Sequence, residues 1–132
     1  LIGPINTGKR IAIVPSWVKD YKLGSRFMIK LEPGLAVGTG HHPTTKMCLE
    51  LAETLITPDS NVLDLGCGSA ILSIAAAKLG AKSVVALDID KQAIKAADQN
   101  VIHNDVSQII TTSIGGLLFS APSEKKSPHL IT

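Results

Sequence analysis

The chain has 132 residues, 45% of them hydrophobic and only 3% aromatic, enough for one apolar core and short for two ordinary domains. Its formal net charge of +2, with no basic run interleaved with aromatics, argues against a nucleic-acid-binding surface. No stretch is apolar for the length of a membrane span and the chain start has no signal-peptide pattern, so the expectation is a cytoplasmic protein without a membrane partner.

In chain order, residues 1–9 read as a frayed linker remnant, with one domain running over 10–132. Residues 31–45, LEPGLAVGTGHHPTT, form a loop rich in Gly, Pro and Thr that opens into a helix over 46–56. The apolar positions of that helix are Met47, Leu49, Leu51, Ala52 and Leu55. Thr44 and Thr45 stand at its start, where one hydroxyl can cap and another can reach a ligand. His41, His42 and Cys48 lie near one another but lack a fourth ligand or a usual metal spacing. Cys48 and Cys67 are isolated and read as reduced thiols.

The most informative block is VLDLGCGSAILSIAAAKLGAKSVVALDID, residues 62–90. A short apolar strand over 62–65 runs into the small residues Gly66, Cys67, Gly68, Ser69 and Ala70. Helical spacing follows in Ile71, Leu72, Ala75, Ala76 and Leu79, with Gly80 as the stop. A second strand over 84–87 ends on Asp88, about 20 residues past the turn, where a carboxylate can accept the ribose hydroxyls of a nucleoside. Asp90 is read as the cap of a helix over 91–100. A third strand is expected over 108–111, and residues 113–129 read as loop with at most one helical turn.

A glycine turn alone can be only a turn, but Asp64 before it and Asp88 after it favour a nucleoside site. Gly66 and Gly68 fit a dinucleotide fingerprint, yet the third glycine position holds Ile71, and there is no Gly-Lys-Ser/Thr ending for a triphosphate. The turn preceded by Asp64 resembles motif I of class I S-adenosylmethionine-dependent methyltransferases. In such a site an acidic residue near the turn can help to hold the cationic ammonium of the cofactor.

Taken with that block, GTGHHPTT (residues 38–45) resembles the signature loop of the ribosomal-protein-L-eleven methyltransferases, the PrmA type, and IAIVPSW (residues 11–17) is similar to the strand and linker that open their catalytic domain. The resemblance covers residues 10 to 112. It implies a Rossmann-like, doubly wound α/β fold with sheet order 3-2-1-4-5, S-adenosyl-L-methionine as cofactor, and methylation of lysine and α-amino groups of a large-subunit ribosomal protein. It also implies cofactor contacts at Thr45, Gly66 and Asp88, to which the reading of the turn adds Asp64 and Gly68.

There are departures. Ala70 replaces the last glycine of the family's motif I, which adds a methyl expected near the methionine end of the cofactor and a small loss of affinity. Val37 stands for a frequent Phe, and Lys91 for a frequent Pro. The chain is expected to be the N-terminal half of the catalytic domain, its last residues SPHLIT resembling the start of strand four. The acceptor-site segment of the family would follow Thr132, so no catalytic residue is assigned. A truncated and poorly active form is expected, with strand one lacking its neighbour and open to self-association. The alternatives are another class I methyltransferase with a small-molecule or different protein substrate, and a nonenzymatic cofactor-binding fragment; a nicotinamide oxidoreductase is more distant because of Ile71.

Overall fold

The computed structural model describes residues 3–32, 43–116 and 129–131. The loop residues Gly34, Val37, Gly38, Gly40, His41 and His42 lie outside the described residues. Two sheets share one apolar core.

The first sheet has the order β1-β2-β3, with β1 Ile5–Thr7, β2 Ile11–Pro15 and β3 Phe27–Leu31. β1 runs antiparallel and β3 parallel to the central β2, which is buried along its whole length, as its unbroken apolar run IAIVP requires. The tight turn between β1 and β2 is held from outside: the Glu53 carboxylate accepts the amides of Lys9 and Arg10 at 2.9 and 3.0 Å. Arg26 closes the long connection to β3 by donating to the carbonyls of Thr7 and Ile11 at 3.0 and 2.9 Å. Residues 5–7, part of the segment expected to be a linker remnant, therefore belong to the fold as a strand.

The second sheet follows a helix, α1 (Pro43–Leu55), and is built from β4 (Asn61–Leu65), α2 (Ile71–Lys78), β5 (Ser83–Asp88), α3 (Lys91–His103), β6 (Ile110–Ile114) and β7 (His129–Ile131). All its pairings are parallel and its order is β6-β5-β4-β7. These four strands follow the first four places of the expected order 3-2-1-4-5. Two successive right-handed crossovers that advance the same way put α2 and α3 on one face. Val62 and Asp64 of β4 and Val84 and Ala86 of β5 are buried, whereas Leu63, Leu65 and Val85 are only half-buried. Ile11, Ile13, Ile29 and Leu31 of the first sheet join the core formed by α2, α3, β4 and β5.

Three expectations change. β7 pairs with β4 over Val62–Asp64, so strand one does have a neighbour, and β7 is the outer strand among the described residues. α1 begins at Pro43 rather than residue 46, because proline suits the first helical position; Thr44 and Thr45 thus lie in its first turn. Of its expected apolar face, Leu49 and Ala52 are buried, while Met47, Leu51 and Leu55 are exposed along one stripe.

Candidate functional site

β4 and β5 are in register from Asn61↔Ser83 to Leu65↔Leu87, and their carboxyl ends open together. The chain leaves β4 through Gly66, whose successor Cys67 donates its amide to Leu87 O at 2.8 Å and so extends the ladder by one bond into the turn. Gly66 and Gly68 have φ of 68° and 52°, and among the described residues no heavy atom beyond the adjacent ones in the chain lies within 4 Å of where a Cβ would stand. The backbone conformation, not a close neighbour, selects glycine there.

Asp88 reaches across to this turn. Its Oδ2 accepts the amide of Gly68 at 3.0 Å and its Oδ1 that of Asp90 at 2.9 Å. One half-buried carboxylate thereby ties the end of β5 to the glycine turn and keeps further lone pairs for a ligand hydroxyl. Asp90 caps α3 as expected, accepting the amide of Gln92 at 2.9 Å.

Asp64 is 1% exposed and lies beneath the turn. Its Oδ2 accepts the Ser73 hydroxyl at 2.6 Å, and its Oδ1 has no hydrogen-bond partner among the described residues. Burial pushes its carboxyl up to about 6 from an ordinary 3.8, Ser73 draws it partly back, and the charge of Asp88 adds a small rise. No cationic side chain is paired with it among the described residues. Cys67, between the two carboxylates, is pushed up to about 12 by burial and then by their charges, so it stays a thiol.

The structure thus joins Gly68 and Asp88 by a direct bond and sets Asp64 under the same turn, anchored to α2. Thr45 is half-buried in the first turn of α1, which packs on α2, and shares no hydrogen bond with the others among the described residues.

Ala70 is the N-cap of α2 at φ 68°, ψ 24°, in the left-handed region, and is fully buried within the core cluster. The general tolerance of alanine at a helix start therefore does not extend to this position, and its methyl belongs to the core.

Three residues escaped the sequence reading. Ser73 carries no local signal in the sequence, yet it is fully buried against Asp64. Ile89, 83% exposed beside Asp88, offers an apolar surface; its Cγ2 lies 3.8 Å from where a Cβ on Gly116 would stand. Asn100, on the buried side of α3, donates to Ser69 O at 3.0 Å. The available signal was its place among Ile94, Ala97 and Val101, a polar group inside an apolar stripe.

Parallel strands in this order, a glycine turn after the first and a carboxylate at the end of the second define a Rossmann-like domain of the class I methyltransferase type, of which this chain carries a part. The family model for ribosomal protein L11 methyltransferase (PrmA) matches residues 2–127, and the chain belongs to that family. It is 50% identical over 106 residues to the ribosomal protein L11 methyltransferase of Thermoanaerobacter sp. (strain X514), covering 80% of this chain and 34% of that one. The corresponding protein of Chloroflexus aurantiacus is 49% identical over 113 residues, covering 86% and 34%. A crystal structure of a ribosomal protein L11 methylase from Lactobacillus delbrueckii subsp. bulgaricus superposes with TM-score 0.75 at 38% identity, covering 84% of this chain and 56% of that chain. The chain spans about a third of the length of the curated relatives it matches.

Proposed function

We propose that this chain carries the cofactor-binding part of an S-adenosyl-L-methionine-dependent protein methyltransferase acting on ribosomal protein L11, in the cytoplasm. The observation that carries the reading is the Asp88 carboxylate, fixed by the Gly68 amide at the open end of parallel strands. In this reading Asp88 accepts the ribose hydroxyls and the backbone of Gly66 and Gly68 lies along the methionine portion. Ile89 supports the base by apolar contact, and Thr45 closes the site from α1. Asp64 acts through its field, since its charge is buried and unpaired by a cation among the described residues. The cofactor supplies a methyl group on a sulfonium. These residues contribute alignment and a negative environment for a cationic ligand.

Transfer itself needs an acceptor amine in line with that methyl and in its unprotonated form, and no residue of this chain is assigned to that task. Turnover by the 132-residue chain is accordingly expected to be poor, while cofactor binding persists. The outer position of β7 among the described residues and the exposed stripe on α1 support self-association of the chain.

Isothermal titration with S-adenosylhomocysteine, beside NADH as the competing nucleotide, tests the reading. Binding of the former, lost in Asp88→Ala and weakened in Ile89→Ala, is the expected result. Preference for NADH, or binding indifferent to Asp88→Ala, would overturn it. A methyl-transfer assay on ribosomal protein L11 then separates an active enzyme from a cofactor-binding fragment.

A further inference from the structure

Asn100 and Asn104 stand one helical turn apart at the end of α3, both buried, and neither is placed to touch a ligand at the strand ends. Their bonds run in series. Asn100 Nδ2 donates to Ser69 O, the residue after Gly68, at 3.0 Å. Asn100 O in turn accepts Asn104 Nδ2 at 2.8 Å. Asn104 then grips Lys30 of β3 on both sides of its backbone, accepting the Lys30 amide at 2.8 Å and donating to the Lys30 carbonyl at 3.0 Å. Both amide hydrogens and the carbonyl oxygen of Asn104 are thereby used.

The effect is to complete the open edge of β3 as another strand would. Asn104 does with a side chain what the backbone ladder does on the β2 side. Beside it, His103 Nδ1 meets Glu32 at 2.9 Å, so the last turn of α3 fixes β3 up to its exit into residues 33–42. Ser69 belongs to the glycine turn, so this series of bonds ties β3 to that turn.

We infer that Asn100 and Asn104 are positioning residues for the cofactor site, holding the glycine turn and β3 in one fixed relation. The inference rests on the cofactor reading above. It accounts for two fully or nearly buried amides on a face otherwise made of Ile94, Ala97 and Val101, where apolar residues would pack without needing partners. Buried polar networks of this kind fix a unique arrangement, and a residue without ligand contact can then alter affinity.

The test uses the full chain and S-adenosylhomocysteine. Asn104→Asp keeps the acceptor for the Lys30 amide and, ionised, lacks both donors; Asn100→Ala removes the bond to Ser69. Each should weaken binding about tenfold at temperatures where circular dichroism shows the variant fully folded. Ser83→Ala removes a 2.6 Å bond to Asn61 at the opposite end of the strands and serves as the stability control. It should lower the melting midpoint while changing affinity by less than about twofold.

Should the substituted chains fail to fold, the parent chain still decides. Binding at the turn must slow amide exchange at Lys30 and at the Asn104 side-chain amide, since coupling is reciprocal. Unchanged exchange there, or unchanged affinity in folded variants while Asp88→Ala loses binding, overturns the inference alone. A parent chain that does not bind S-adenosylhomocysteine overturns the cofactor reading and this inference with it.

Discussion

Asp64 carries a charge that the fold alone does not favour. Its carboxyl sits at about 6 against 3.8 in an open chain, so between those values the folded state binds more protons than the unfolded one. Stability from this group is greatest below pH 4, declines as pH rises through 6, and is reduced by a fixed amount above that. The reduction is about 3 kcal/mol, since each tenfold difference in proton affinity between the folded and unfolded chain is worth about 1.4 kcal/mol. Asp64→Asn should therefore raise the melting midpoint at pH 7.5 and flatten the stability profile between pH 4 and 6. A cationic cofactor favours the ionised form, so its affinity should fall as pH drops through 6 in the parent chain, and less so in the variant. Titrations at pH 5 and 8 check this; a variant that gains stability with no loss of affinity at pH 8 would leave Asp64 without a cofactor role. At Ala70 two effects oppose each other. The left-handed conformation costs about 1–2 kcal/mol for a residue with a Cβ, and burying the methyl returns about 0.8 kcal/mol. Ala70→Gly should raise the midpoint slightly in thermal melts, while Ala70→Val, branched at Cβ, should lower stability by more than about 1 kcal/mol.

The elements that were legible in the sequence are those whose burial follows their own periodicity. β4, α2, β5 and α3 were readable because each presents an apolar face to the shared core, and β6 begins two residues later than expected. β3 has no local signal of its own: it is an edge strand with Phe27 and Lys30 exposed, and its partners on the side away from β2 are the side chains of Asn104 and Lys78, which no local pattern reveals. β1 is three residues long and depends on β2 and on Glu53, far away in the chain. The candidate site divides in the same way. Asp88 and the glycines are local signals, whereas the burial of Asp64 and the use of Asn100 arise only when α2 and α3 lie on the sheet. The dependence of the β1–β2 turn on α1 is testable. Glu53→Ala removes two charge-assisted bonds at a half-buried position and should destabilise the chain by about 1–2 kcal/mol. Faster amide exchange at Lys9 and Arg10 should accompany the loss, and unchanged exchange there would show that α1 does not hold the turn.

A doubly wound sheet is stable when both faces are covered, and here the described helices α2 and α3 lie on one face. The other face carries Leu63, Leu65 and Val85, all half-buried, and the sheet ends on β7, which has one strand neighbour among the described residues. Nearby in sequence, α1 exposes Met47, Leu51 and Leu55, each by more than half of its surface. Exposed apolar stripes and open strand edges both favour association, but they respond to different changes. Met47→Lys with Leu51→Lys puts two like charges on the α1 stripe and leaves the sheet edge untouched. Leu130→Pro removes an edge amide and leaves α1 untouched. Sedimentation of the parent chain should show concentration-dependent association. If the helix stripe drives it, the lysine pair should restore a monomer and the proline should not. If the edge drives it, the reverse should hold, and the assembly should gain β-structure with concentration in the amide I band. Burying the three large apolar side chains of the stripe is worth more than the few backbone bonds a three-residue edge can make, so the lysine pair is expected to be the effective change. A parent chain that sediments as a monomer at all concentrations would remove self-association from the behaviour of this molecule.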